Sequence, residues 1–435
     1  MNIKYSVQMF CGTKYRFLTN LPVLRLSNFQ FDNISYRNMS VQVDDSNPDI
    51  VEKSNKRQLV DENDEVVAKA QKVEEITENV KEKLKRRNFV LMLGYLGKDY
   101  FGMQRNPGKK TIEEDLLSAL LKSDFITKEQ FEDVRQIKFQ RAARTDRGVS
   151  AVRQIVSLRL PDHTNKEEIN KHLPQEIRVF GVKRVTKGFN SKNQCDARTY
   201  RYVIPTFSLA PEDPIFLQIG EERELDVEKR LEQLSTIDGK PYNEFRLTAD
   251  MLDKLNETLK LFERTHNFHN FTSKIRPLDP SARRYIISFC CVETFVANNT
   301  EFAVLEVKGQ SFMLHQIRKM VSLVVGVARN IVTNDILKDA FSLERIDIPT
   351  APGLGLSLHH VHYKYYNKRY GTDGIHETLD WDECSEEVEK FYKEYILKNI
   401  VDTEVSEKTT LTWLASFLTP KRFAFRDPVA TCECD

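Results

Sequence analysis

At Phe89 the chain changes character. From Asp44 to Arg87 it is crowded with Asp, Glu, Lys and Asn and holds no aromatic residue, whereas from Phe89 onward short apolar runs alternate with turn residues. The polar stretch cannot bury enough apolar surface to offset the entropy of ordering it. It reads as a solvated linker, with a fraying helix near Val73 to Leu84, so the fold has to be built from Phe89 onward. The basic end of this stretch, Lys81, Lys83, Lys85, Arg86 and Arg87, suits either a solvated charge run or a nuclear import signal. Ahead of it, Met1 to Gln30 carries Lys4, Lys14, Arg16 and Arg25 and no acid, the bias of a mitochondrial transit peptide or of an unstructured basic leader. The expected localisation is therefore nucleus and/or mitochondrion.

Periodicity supplies the elements. Phe89 to Leu93 reads as a strand stopped by Gly94. Thr111 is placed to cap a helix through Leu121, with Glu114 completing a capping box. In Gln154 to Leu160 the residues Ile155, Ser157 and Arg159 alternate with Val156, Leu158 and Leu160, as in a strand. Tyr200 to Ile204, Tyr285 to Val296 and Phe302 to Val307 are aromatic and β-branched, hence strands. Leu252, Leu255, Leu259 and Phe262 share one helical face, and Phe312 to Val332 predicts a long helix. Strands and helices interleave without a strict βαβ rhythm, which favours an α+β fold with an antiparallel or mixed sheet. Beyond Tyr366 a charged, helix-prone extension ends in an irregular tail.

Composition narrows the function by exclusion. Lys+Arg 65 against Asp+Glu 64 leaves a formal net charge of +1, so any nucleic-acid site must rest on local patches. Seven scattered cysteines argue against a disulfide framework, and the single C-x-C at Cys432 and Cys434 is a poor zinc site. The longest apolar run, Val321 to Val327, is too short to span a bilayer. There is no P-loop, and the G-x-G at Gly353 and Gly355 lacks a third glycine. His266 with His269, and His359 with His360 and His362, fit core or RNA-contact roles better than metal binding. No cofactor is required by anything in the sequence.

The chemistry concentrates between Lys138 and Gln154, KFQRAARTDRGVSAVRQ. From Arg135 to Arg159 the basic residues are Arg135, Lys138, Arg141, Arg144, Arg147, Arg153 and Arg159, and Asp146 is the only acid. Surrounding positive charge would hold that carboxylate ionised. In an extended chain Arg144 and Asp146 point to the same face, and Gly148 permits a tight turn that presents the carboxylate at a strand end. Such a group can act as nucleophile or base at a sugar carbon. A second reading stays open: Asp146 organises a T-D-R-G turn while the arginines hold phosphates. Arg318 lies in an apolar row with Leu314, Val321 and Val325, so its charge needs an anionic partner. That partner is either Asp146, closing a clamp, or an RNA phosphate reached by snorkelling. Tyr200 and Tyr202 share a strand face, where a ring beside the carboxylate could stack on a flipped base. Arg178 to Arg201 adds Lys183, Arg184, Lys187, Lys192 and Arg198 against Asp196, extending a basic track for RNA.

Together these segments resemble the tRNA pseudouridine synthases of the TruA type, and their eukaryotic branch closely. The matching runs are GYLGKDYFGMQRNPG from Gly94, FQRAARTDRGVSA from Phe139, NQCDARTYRYVIPTF from Asn193, THNFHNFTS from Thr265, GQSFMLHQIRKMV from Gly309 and APGLGLSL from Ala351. The resemblance covers roughly Phe89 to Tyr366. It implies that Asp146 is the catalytic aspartate and that Arg144 orients it and helps hold the target nucleotide flipped out. It further implies that Tyr200 stacks on the base and assists proton transfer, and that Arg318 is the basic partner of the aspartate. Arg141, Arg147, Arg198, Lys192, His269 and Lys319 are the expected RNA contacts. The implied fold is two α/β subdomains sharing a mainly antiparallel sheet, with a central basic cleft. Boundaries then fall at 1–87 for the leader and linker, 88–197 and 198–366 for the two catalytic subdomains, and 367–435 for the extension and tail. The implied reaction isomerises uridine to pseudouridine in tRNA, at several positions including the anticodon stem, without cofactor or metal. Bacterial members are homodimers, but the extension after Tyr366 could cover the pairing surface, so a monomer is expected. Two rivals stand beside this reading, a non-catalytic RNA-binding module on the same fold and another base-modifying enzyme such as a uridine methyltransferase.

Overall fold

The first strand, β1 (Arg86–Tyr95), is an apolar run buried along most of its length, as a strand covered on both faces must be. In this computed structural model, which describes residues 85–212, 227–273, 275–418 and Phe423, β1 begins earlier than Phe89. Arg86 and Arg87 pair in register with Pro161 and Leu160. Arg86 Nη1 donates to the Phe125 carbonyl at 2.9 Å, and Arg87 Nε meets Asp162 at 3.1 Å. The end of the basic run is thus sheet rather than solvated linker. The leader, the rest of the linker and Cys432 with Cys434 lie outside the described residues.

The main sheet is built from β1 with β2 (Gln140–Arg141), β3 (Ser150–Pro161), β4 (Ile177–Arg184), β5 (Ala197–Pro205), β6 (Arg264–Asn267), β7 (Arg283–Ala297), β8 (Thr300–Gly309) and β9 (Leu356–His362). Its order is β4-β1-β3-β9-β5-β8-β7-β6, with β2 paired to β3. Pairing is antiparallel throughout except where the late strand β9 meets β3 in parallel at Ser357↔Ser150 and Leu358↔Ala151. This makes the protein α+β with a large, mostly antiparallel sheet. The β9 strand joins the strands before residue 185 to those after residue 196, and the line where they meet is where the site forms.

Three helices matter here: α1 (Ile112–Lys122), α2 (Ala249–Lys260) and α3 (Gln316–Ala328). Thr111 caps α1 by accepting from Glu114 N at 3.4 Å, but the Glu114 carboxylate turns to Arg105, so the reciprocal half of the capping box is absent. In α2 the expected stripe is present, with Leu255 and Leu259 buried and Phe262 buried just past its end. Helix α3 starts at Gln316 rather than Phe312 because Gln310 to His315 forms a loop. His315 sits in the left-handed region at φ 62°, and Met313 N donates to Gln316 Oε1 at 2.9 Å.

The extension past Tyr366 is helical as expected, through α4 (Ser385–Phe391), a π-turn at Tyr392–Leu397, α5 (Lys398–Glu407) and α6 (Thr409–Phe417). It packs on β4 and β1: a Cβ on Gly181 would lie 2.6 Å from the Trp381 ring, and Phe391 meets Phe180 edge-on at 5.6 Å. Among the described residues no helix is long and apolar enough to cross a membrane.

Candidate active site

The segment Ala142–Val149 is irregular, yet it is held at several points. Gln154, fully buried on β3, donates through Nε2 to the Ala143 carbonyl at 2.9 Å and accepts from Ala143 N at 3.3 Å. Thr145 shares a buried 2.8 Å hydrogen bond with the Tyr95 hydroxyl, and its carbonyl accepts from Met103 N at 3.1 Å. Gly148 N donates to the Tyr100 carbonyl at 3.1 Å. The chain then turns into β3 through Val149 N to Asp146 O at 3.1 Å, with Gly148 at φ 77° as the spacing requires.

Asp146 therefore starts the turn with its carbonyl and leaves its carboxylate uncommitted. The side chain is half-buried and makes no hydrogen bond or ion pair among the described residues. A turn-organising aspartate would use its carboxylate oxygens on nearby N–H groups, so that reading loses its basis. Arg144 is exposed and touches Gln104 Oε1 at 3.4 Å, not Asp146.

Groups from distant stretches feel the charge of Asp146. Tyr200, on β5 opposite Val307 and Leu358, is buried edge-on against Phe312 at 5.2 Å. Burial pushes its phenol well above the ordinary value, and the Asp146 carboxylate adds to the effect. At neutral pH it is a protonated donor, and its hydroxyl has no hydrogen-bond partner among the described residues. Arg318 on α3 is half-buried, and burial lowers its pKa while Tyr202 and Asp146 act in the opposite sense. The expected direct ion pair is not formed. Arg318 Nε donates instead to the Ala351 carbonyl at 2.6 Å, so arginine and aspartate share a field without touching. The Ala351-Pro352-Gly353 turn is fixed from the other side by the Tyr202 hydroxyl, which donates to the Pro352 carbonyl at 2.6 Å. His315 completes the group. Burial and Arg318 lower its pKa while Asp146 raises it. Sequence reasoning passed over His315 because a left-handed histidine at a helix start carries no periodic signal.

The expected RNA contacts divide. Arg147 and Lys192 are exposed and open to phosphate. Arg141 is taken by Glu113, a buried acid 2.8 Å away that needs a cationic partner to be tolerated. Arg198 spends its guanidinium on the carbonyls of Ala142 and Gln310. His269 is fully buried between Asn267 Oδ1 and the Glu344 carbonyl, each at 3.2 Å, and is a core histidine. Lys319 is half-buried and donates to the Asn270 carbonyl at 3.2 Å. Lys183, counted in the basic track, faces the C-terminal extension instead. Arginine counts along a sequence cannot separate a surface cation from one that ties loops together.

Fold and site together show an α+β protein with a large, mostly antiparallel sheet and a half-buried carboxylate, Asp146, that has no partner among the described residues. The family described as tRNA pseudouridine synthase matches residues 259–364. Pseudouridylate synthase 1 homolog of Mus musculus is 47% identical over 338 residues, covering 76% of this chain and 74% of that protein. The Homo sapiens protein of the same name is 48% identical over 332 residues, covering 75% and 72%. The tRNA pseudouridine synthase 1 of Yarrowia lipolytica is 33% identical over 382 residues, covering 73% and 72%. The chain belongs to the tRNA pseudouridine synthase family.

Proposed function

We propose that this protein isomerises uridine to pseudouridine in tRNA with Asp146 as the catalytic carboxylate. The observation that carries the reading is the half-buried Asp146 side chain, unbonded in the turn ahead of β3, with Tyr200, His315 and Arg318 in its field. An extruded uridine would bring its ribose to that carboxylate. Asp146 then breaks the glycosidic bond either by attack at C1′ or by taking the C2′ proton to give a glycal. The freed uracil turns and C5 bonds to C1′ as Asp146 leaves that carbon or as the glycal regains its C2′ proton. The C5 proton leaves to solvent, and the nitrogen freed from C1′ takes up a proton. Every other atom of the uridine is retained, so the balance calls for no co-reactant. Tyr200, a neutral phenol, supports the base by stacking and by donating a proton. Arg318 holds negative charge at the site, and Arg144, exposed two residues before Asp146, keeps the vacated stack open.

The sheet order supports two subdomains, 88–197 and 198–366, meeting at β9, with the RNA cleft along their junction. Arg147 and Lys192 are the RNA contacts the site keeps. Several tRNA positions, the anticodon stem among them, are the proposed targets. The extension against β4 and β1 favours a monomer, and the basic leader favours a nuclear or mitochondrial address.

Tritium release from tRNA labelled at uridine C5 tests the central claim. Wild-type protein should release label with no added cofactor, and Asp146→Asn should release none while still binding tRNA. Equal release by both proteins would end the assignment of Asp146. An isotope effect with deuterium at C2′ separates the two first steps.

A further inference from the structure

Beside Asp146 stands an aromatic ring that the proposed chemistry leaves unused. In the run Tyr100-Phe101-Gly102-Met103, Tyr100 and Met103 are buried while Phe101 points outward, 40% exposed. Its loop is fixed. Phe101 N donates to the Lys110 carbonyl at 2.9 Å, Gly148 N donates to the Tyr100 carbonyl and Met103 N to the Thr145 carbonyl, the last two at 3.1 Å each. Gly102 follows at φ 93°, so close that a Cβ would lie 2.7 Å from the Thr145 carbonyl oxygen. The ring therefore rides on the same rigid unit as the carboxylate. Two exposed cations gather over it, Arg147 at 4.5 Å from the ring centroid and Lys109 at 5.0 Å.

An outward ring flanked by cations is the combination that binds unpaired nucleotides, the base stacking on the ring and the phosphates taking the charges. Extruding one nucleotide strips its neighbours of a stacking partner, and a ring at the mouth of the site can replace what is lost. We propose that Phe101, Arg147 and Lys109 form a subsite for the nucleotide adjoining the extruded uridine. The Phe101 ring carries that neighbour's base, and the two cations take its phosphates. This rests on Asp146 being the catalytic centre of a tRNA-modifying enzyme.

The test uses the full-length protein and an unmodified tRNA transcript that it converts, together with versions made abasic immediately 5′ or 3′ of the converted uridine. Binding and single-turnover rates are compared for wild type, Phe101→Leu and Phe101→Tyr. Phe101→Leu should bind the intact RNA roughly 10-fold more weakly, and Phe101→Tyr should retain binding because the π-face survives. On one of the two abasic RNAs, wild type and Phe101→Leu should bind equally, since each change removes the same contact. Should Phe101→Leu misfold, wild type alone must still lose a comparable factor on one abasic RNA. Losses that add at both positions, with normal turnover by wild type, overturn the subsite and leave the catalytic reading standing. A wild-type protein that converts no tRNA overturns both.

Discussion

The guanidinium of Arg198 donates twice to the Ala142 carbonyl, at 3.0 and 2.6 Å, and once more to the Gln310 carbonyl at 2.8 Å. It thereby joins the segment that leads to Asp146 with the loop that leads into α3 and Arg318. A lysine cannot reproduce that planar fork. Arg198→Lys should lower kcat roughly 10- to 100-fold through small displacements at the site, with little change in KM. Stability should drop by about 1–3 kcal/mol because a half-buried carbonyl loses its donor. Steady-state kinetics on tRNA with a thermal melt checks both. A raised KM with unchanged kcat and Tm would return Arg198 to the role of a phosphate ligand.

Two glycines with left-handed backbone separate strain from steric contact. At Gly108, φ 72°, an added Cβ would meet nothing within 4 Å, whereas at Gly102, φ 93°, it would lie 2.7 Å from the Thr145 carbonyl oxygen. Gly108→Ala should cost only about 1 kcal/mol of backbone strain. Gly102→Ala adds a collision with the residue preceding Asp146, so it should cost several-fold more stability, on the order of 3 kcal/mol, and depress turnover sharply. Denaturant unfolding of both variants, alongside tritium release, measures the difference. Equal losses would show that the close approach at Gly102 is relieved without moving Thr145.

Much of this architecture was legible because it rests on local patterns. Alternation gave β3, aromatic and β-branched content gave β5, helical spacing gave α2, and the glycine after Asp146-Arg147 gave the turn. The mainly antiparallel α+β arrangement followed from strands interleaving without a βαβ rhythm. The candidate site was marked in the sequence by a lone acid among arginines, and Tyr200 and Arg318 do lie within the field of that acid. What local pattern could not supply was the destination of each long cation. Arg141, Arg198 and Lys183 look alike in sequence, yet one neutralises buried Glu113, one clasps two carbonyls and one anchors a remote extension. Those choices depend on contacts between residues far apart in the chain. His269 was misassigned for the same reason, since only the fold places Glu344 against it.

Lys183 carries the attachment of the extension. Its side chain is 7% exposed, with Nζ 2.7 Å from Glu383, 3.0 Å from the Thr378 carbonyl and 4.7 Å from the centre of the Trp381 ring. Lys183→Met keeps the aliphatic stem but removes the charge and donor, so about 1–3 kcal/mol should be lost. The loss should be local: amide exchange should quicken across residues 377–391 while β5 and β8 stay protected. Uniform acceleration over the whole sheet would mean that the extension and the sheet unfold as one unit.

Acid should weaken the fold through three histidines on β9. Burial is the main cause that lowers His359 to about 2, His360 to about 4 and His362 to about 3. Arg201, Arg153 and Lys308 press in the same direction around them, and Asp382 opposes at His360. Each ring is neutral in the folded chain but takes a proton near pH 6.5 when unfolded. Below that pH the unfolded state binds more protons, so stability is full above pH 6.5 and falls as pH drops toward the folded values. Each histidine should contribute a slope of roughly 1 kcal/mol per pH unit once the pH is well below 6.5. His360→Gln cannot titrate, and its stability should fall less steeply than that of wild type between pH 6 and pH 5, whatever the carboxylates add to both. Denaturant midpoints measured across that interval decide it, and parallel slopes would show that His360 protonates without cost in the native protein.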